Sequence, residues 1–205
     1  MAESHNVSTP NNKGTKQLFQ NKLLERLTRT HIAVPITLFI IYSAGLLIWS
    51  VYNTSLPAVT TVALFFGGFL LFTLIEYLVH RFVFHMVTNT KLKKSIQYHA
   101  HGVHHEFPKD KDRLAMPPWA SLTISTLLLF ILRFFIGDYV FAFLPGFLIG
   151  YASYLFVHYI VHAYQPPKNM FKILWVHHGI HHYKRQDAAF GVSSPLWDVI
   201  FRTMP

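Results

Sequence analysis

The chain has 205 residues, of which 52% are hydrophobic and only 13% charged. A soluble domain carries about 25% charged residues, so an ordinary water-soluble globule is excluded, and the absence of cysteine excludes disulfides and thiolate metal sites. The net charge of +9 could suit phosphate, but its placement beside apolar blocks fits membrane topology and anionic headgroups and speaks against nucleic acid.

Residues 1–15 are rich in Ser, Thr and Asn and have the composition of a disordered arm. They lack the apolar core of a cleavable signal, so the first apolar block is expected to be retained. From Lys16 to Thr30, Phe19, Leu23 and Leu27 recur every fourth residue among basic positions. That pattern predicts a short interfacial helix, with a solvated basic linker as the competing reading.

Four apolar blocks follow, at about 32–51, 58–79, 119–136 and 139–161. Each approaches the roughly 20 residues a helix needs to span a bilayer. Residues 52–57 and Gly137-Asp138 are too short to be domains and predict tight hairpins. Pro117-Pro118 marks the start of the third block, since proline fits a first turn but disfavours helix before it. Seventeen of the eighteen Lys and Arg residues lie in 1–30, 80–118 and 164–205. Basic flanks stay on the cytoplasmic side, so both termini and both polar segments are predicted there. The fold class expected is all-α integral membrane, with four transmembrane helices and a cytosolic helical cap. Residues 1–30 form its arm and 31–205 the membrane domain.

Ten of the fourteen histidines fall into four groups at the same end of these blocks: His80/His85, His101/His104/His105, His158/His162 and His178/His181/His182. Residues three and four apart share a helical face, so each triplet projects three imidazoles to one side. His80 and His85 are five apart, which places His85 past its helix end. Ten imidazoles packed without metal would leave buried donors unpaired at about 1 to 3 kcal/mol each. Divided over two ions they supply about five ligands each, leaving an octahedral metal one open position. Structural zinc is closed and four-coordinate, so this surplus of ligands fits redox iron, although zinc can occupy such a site in isolated protein.

The other histidines read differently. His5 lies in the arm and His31 at the first block's headgroup level. His99 and His177 adjoin the triplets as candidates to orient the ligands, and His177, four before His181, keeps a ligand role open. Glu76, Glu106, Asp187 and Asp198 are the nearby carboxylates. Glu76, one turn before His80, is expected to bond a ligand histidine or to pair with Arg81. Asp187 is a further candidate for such outer support. Phe82, Phe84, Trp119, Phe156, Tyr159 and Trp175 are candidates to line an acyl groove, with lipid contact or core packing as the competing role.

The run Glu76-Tyr77-Leu78-Val79-His80-Arg81-Phe82-Val83-Phe84-His85, with His101-Gly-Val-His104-His105, His158 to His162 and His178-Gly-Ile-His181-His182-Tyr183, resembles the fatty acid hydroxylase superfamily of membrane dimetal oxygenases. Arg113-Leu-Ala-Met116-Pro117-Pro118 and Phe190-Gly191-Val192-Ser193-Ser194-Pro195-Leu196-Trp197-Asp198 resemble its fatty acid 2-hydroxylase branch. The likeness runs from about residue 70 to the C-terminus. It implies ten histidine ligands around two metal ions, iron in the active enzyme, and O2 as co-substrate for hydroxylating a lipid acyl chain beside its carbonyl. The histidines carried over are the ten above. The His-Pro-Gly-Gly signature of the family's cytochrome-b5-type domain is absent, which implies an external electron donor, and the compactness implies a bacterial inner-membrane protein. The alternatives are a sterol or carotenoid oxidase of the same superfamily, a non-catalytic protein keeping a structural zinc centre, and a histidine-rich metal transporter.

Overall fold

A computed structural model describes residues 10–205. His5 and the rest of residues 1–9 lie outside the described residues. Asn21 caps α1 (Lys22–Leu27), its side chain accepting from the Leu23 and Leu24 amides. This helix is much shorter than the 15-residue stretch that the Phe19/Leu23/Leu27 spacing suggests. Its predecessor, residues 10–20, is neither helix nor strand. There the polar side chains find partners across the fold: the Asn11 amide donates to the Glu106 carbonyl at 2.7 Å, and Tyr183 donates its hydroxyl to Asn12 at 2.7 Å. The composition that predicts disorder thus becomes a strap across the histidine-bearing end.

The apolar blocks form α2 (Ala33–Asn53), α3 (Ala58–Val79), α6 (Pro118–Ile136) and α7 (Val140–Ala163). Between α3 and α6 lie α4 (Lys91–Gln97) and α5 (Val103–Glu106); α8 (Lys172–Tyr183) and α9 (Leu196–Ile200) follow α7. Three helical stretches are long and apolar enough to cross a membrane, Ala33–Asn53, Ala58–Phe84 and Lys111–Ala163, the last containing both α6 and α7. α6 and α7 are joined by a single 3-10 turn at Gly137–Tyr139, where Gly137 takes a φ of 59° that its missing Cβ permits.

α7 is the central helix. Its Val140, Phe141, Leu144, Leu148, Ala152 and Leu155 meet Ile32, Phe39 and Leu46 in one core. The outer faces are as apolar as the core: Phe134 and Phe135 of α6 are 85% and 74% exposed, whereas the buried residues of that helix are Ser121 and Ser125. Apolar outside with small polar residues inside is the pattern of helices packed within lipid.

α3 and α7 approach backbone to backbone. A Cβ on Gly146 would stand 1.8 Å from the Phe65 carbonyl oxygen, and one on Gly68 2.1 Å from that of Phe143. No side chain can swing away from a backbone clash, so the helices must part. Gly146→Ala is therefore expected to lose about 3 kcal/mol or more, the upper end of overpacking, while Gly45→Ala, which meets nothing within 4 Å, stays near wild type. Thermal unfolding in detergent checks the pair.

Hydrogen bonds gather the polar segments at one end of this bundle. The Thr30 amide donates to the Asp112 carbonyl at 2.9 Å, and the hydroxyls of Tyr77 and Thr203 are hydrogen-bonded at 2.9 Å. The histidine-rich segments close over the ends of α3 and α7.

Candidate metal centre

The α3 helix does not stop at Val79 but widens into a π turn, His80–Phe84, closed by the His85 amide donating to the His80 carbonyl at 3.2 Å. On an α-helix, residues five apart point about 140° from each other. The wider turn cuts that angle and brings His85 round to His80, so a pair without a common α-helical face meets after all. A second π turn, Tyr98–Gly102, delivers His101 to the start of α5.

The ten imidazoles gather into two sets. His80, His85, His101, His105 and His181 form one, and His104, His158, His162, His178 and His182 the other; within each, one ring nitrogen per residue lies within 4.8 Å of all the rest. Each triplet is split by helical geometry. Its first and third members, four apart, share one set, and the middle member, 60° round the helix, goes to the other. Each set is therefore two pairs and a single: His80/His85, His101/His105 and His181 against His158/His162, His178/His182 and His104. The sets touch where His105 stacks on His182 at 4.2 Å.

The spacing within each set suits a metal. The Nε2 atoms stand 3.1 Å apart for His80 and His101, 2.9 Å for His101 and His105, and 3.0 Å for His85 and His181. In the second set the values are 2.9 Å for His104 and His158, 3.1 Å for His104 and His182, and 2.8 Å for His162 and His178. Neighbouring ligands about 2.1 Å from an octahedral ion lie about 3.0 Å apart, against about 3.4 Å round a tetrahedral one. Five imidazoles at the vertices of an octahedron would leave its sixth vertex open.

Protonation points the same way. His80 Nδ1 lies 2.5 Å from the Phe190 carbonyl oxygen and His181 Nδ1 2.8 Å from that of Ala188. A carbonyl only accepts, so each Nδ1 carries the proton and each Nε2 presents a lone pair inward. The Nδ1 atoms of His105, His178 and His182 are buried without a hydrogen-bond partner among the described residues, a cost with no return unless the opposite nitrogens gain a bond. Burial first, and neighbouring imidazoles second, hold His101, His104, His105, His178 and His182 well below the usual 6.5. Metal binding needs this neutral form.

The candidates for outer support divide. Glu76 bonds no histidine and does not pair with Arg81. Its Oε1 accepts from the Val192 and Ser193 amides at 2.8 and 2.9 Å, and its Oε2 takes the Ser193 hydroxyl. Arg81 instead donates to the Tyr77 hydroxyl at 2.8 Å. His99 is exposed, bonds the Ser95 carbonyl and belongs to neither set. Asp187 pairs with Arg185 at the surface. His177 is buried but belongs to neither set, and its Nε2 bonds Asp198 at 3.0 Å.

Asp198 is the organiser that spacing could not single out. Fully buried, it accepts from the Phe190 and Gly191 amides, the Thr203 hydroxyl and His177. Burial pushes its carboxyl up, but those four bonds outweigh it and hold the group below the ordinary range. Between the two carbonyls that orient His181 and His80, Ala189 adopts a φ of 59°. That left-handed residue costs about 1–2 kcal/mol, which the Asp198 and Glu76 clamps offset.

A cavity of about 500 Å³ opens beside His80, His101, His104 and His158 and runs along Val79, Ile75 and Phe72 on α3 against Leu155, Tyr154 and Tyr151 on α7. Of the aromatic candidates, Phe84 lines it; Phe82, Trp119 and Phe156 are more than half exposed on outer surfaces. Trp175 lines a smaller cavity of about 240 Å³ behind His162, His178 and His182.

Comparison with known proteins finds the family described as fatty acid hydroxylase, whose profile matches residues 65–203. The chain is 35% identical over 191 residues to the dihydroceramide fatty acyl 2-hydroxylase FAH2 of Arabidopsis thaliana, covering 92% of this chain and 80% of that one. It is 37% identical over 219 residues to the fatty acid 2-hydroxylase of Homo sapiens, covering 92% of this chain and 56% of that protein, so it spans little more than half of the human relative. A solved structure of full-length scs7p, with only the hydroxylase domain visible, superposes with a TM-score of 0.85 at 30% identity over 94% of this chain and 73% of the other.

Proposed function

This chain belongs to the fatty acid hydroxylase family, and on that premise we propose that it hydroxylates a lipid acyl chain at the carbon beside the carbonyl, with O2 as co-substrate, at a centre of two iron ions. The observation that carries this is the double set of five imidazoles opening onto an apolar cavity. When bound, the iron pair supplies activation of oxygen. The ten histidines divide as their geometry divides them, five to each ion.

The protein's own part is to bind and place the chain. Phe72 lies eight residues before His80 on α3, about 12 Å along the helix, so the cavity takes an extended apolar tail below the imidazoles. The surrounding Ile75, Val79, Tyr151 and Leu155 exclude water from it. A rigid rim matters because a displacement of about 1 Å from a near-attack distance of about 3 to 3.5 Å can cost two orders of magnitude in rate. The π turns and the 188–193 loop hold that rim.

In the membrane, α6 and α7 are separate spans, making four with α2 and α3. The cap and both polar segments are cytosolic, as the seventeen basic residues on that side favour. Residues 1–30 are the arm and 31–205 the membrane domain. Electrons come from an external donor, for which a basic face favours an acidic partner; nucleic acid has no part.

Purified, iron-loaded protein given a reductant, an acyl lipid and labelled oxygen is expected to place one labelled oxygen atom on the carbon next to the carbonyl, read by mass spectrometry. Unlabelled lipid from iron-loaded protein would overturn the reading in favour of a structural metal centre. Labelled sterol or carotenoid with unlabelled acyl chains would move it elsewhere in the superfamily.

A further inference from the structure

One charged group in the large cavity has no part in holding the centre. Arg113 ends a 3-10 turn, Lys111–Arg113, and its side chain is only 5% exposed. Nη2 pairs with Glu25, and Nε lies 3.4 Å from Asp110 Oδ2. Nη1 is buried without a hydrogen-bond partner among the described residues. Arg113 lines the same cavity as His80, His101, His104 and His158. A buried N–H left unpaired is costly, and a guanidinium never loses its protons to escape that cost. Glu76 lines the cavity too, but its oxygens are occupied by Val192 and Ser193.

We infer that Arg113 Nη1 donates to the carbonyl oxygen of the bound acyl lipid and thereby sets which carbon stands at the histidines. The inference rests on the acyl-hydroxylase reading above and makes Arg113 a positioning residue. Hydroxylation beside a carbonyl needs a register along an otherwise uniform chain, and the carbonyl is the one polar mark near the reacting carbon. An apolar groove alone lets the chain slide.

Glu25 and Asp110 flank the guanidinium, and Arg29 shares Glu25 at 3.1 Å, so two carboxylates and two guanidiniums balance and Nη1 is the donor left over for a neutral carbonyl. Glu25 links this anchor to the strap, because its Oε2 accepts from the Leu18 and Phe19 amides at 2.9 and 3.1 Å, and both residues line the cavity.

The test compares full-length wild type, Arg113→Lys and Arg113→Gln on an N-acyl lipid and on an analogue whose carbonyl is replaced by a methylene. Metal content, KM, kcat and the position of the new hydroxyl are measured. Wild type is expected to hydroxylate the N-acyl lipid at one carbon and the analogue at several, with KM raised about 10-fold or more, as loss of a hydrogen bond to a charged donor predicts. Arg113→Gln should keep its metal, scatter the hydroxyl and raise KM similarly, and Arg113→Lys should recover part of the fidelity. A purely structural arginine would lower yield and metal content but leave the position of the hydroxyl unchanged.

Wild type treating lipid and analogue alike, in position and KM, overturns the inference, and this arm needs no variant to fold. A single hydroxyl position with wild-type KM in a metal-replete Arg113→Gln overturns it equally. Wild type that hydroxylates neither lipid when iron-loaded refutes the acyl-hydroxylase reading itself.

Discussion

His182→Ala is expected to reduce hydroxylated product by at least about 100-fold and to leave the purified chain short of two metal ions. Even outer partners of a metal's ligands are worth about 10 to 100-fold in affinity or activity, and His182 stands inside the second set, 3.1 Å from His104. It is fully buried and stacks on His105 of the first set at 4.2 Å, so its removal opens a void where the two sets meet. His177→Ala is the matched control, on the same helix and also buried, but bonded to Asp198 instead of either set. It is expected to retain both ions with a milder loss of activity. Metal analysis of the two purified variants decides the matter. Two ions and activity within tenfold of wild type in His182→Ala would remove this residue from the centre.

How much of this site is readable in the residues themselves depends on what each signal measures. Apolar blocks report helices directly, because a helix in lipid must satisfy its backbone internally and needs a fixed length to do so. The helices Ala33–Asn53, Ala58–Val79, Pro118–Ile136 and Val140–Ala163 accordingly begin and end within about two residues of the blocks. Spacings of three and four likewise report shared faces, which is why the triplets converge. The π turn at His80–Phe84 is invisible to that logic, since i+5 spacing on an ordinary helix separates the rings. Nor does spacing reveal that each triplet divides between two sets, because the division appears only when α5 and α8 face each other. The arm misleads for a related reason: Asn11, Asn12 and Thr15 look like unanchored polar residues until Glu106, Tyr183 and Asp110 are beside them.

Asp198→Asn is expected to cost about 2 to 4 kcal/mol of stability and to damage the centre without touching a histidine. The carboxylate accepts four hydrogen bonds, two on each oxygen. An amide of equal size turns one of those oxygens into a donor, facing either Phe190 N–H and the Thr203 hydroxyl or Gly191 N–H and His177. Buried donors left facing a donor cost about 1–3 kcal/mol each, and the hydroxyl can rotate where the N–H cannot. The damage should extend to the metal. Phe190 donates its amide to Asp198 and lends its carbonyl to His80 Nδ1, so slackening the loop frees the His80 ring to turn. Metal affinity is then expected to fall about 10 to 100-fold although no ligand has changed. Gly191→Ala attacks the same clamp independently, because a Cβ there would stand 2.8 Å from Asp198 Oδ2 and 2.2 Å from the Ser194 carbonyl oxygen. Denaturant unfolding and metal titration of both variants should move together. Asp198→Asn binding both ions with wild-type affinity would show that the 188–193 loop holds its carbonyls without this carboxylate, leaving Glu76 as the clamp that matters.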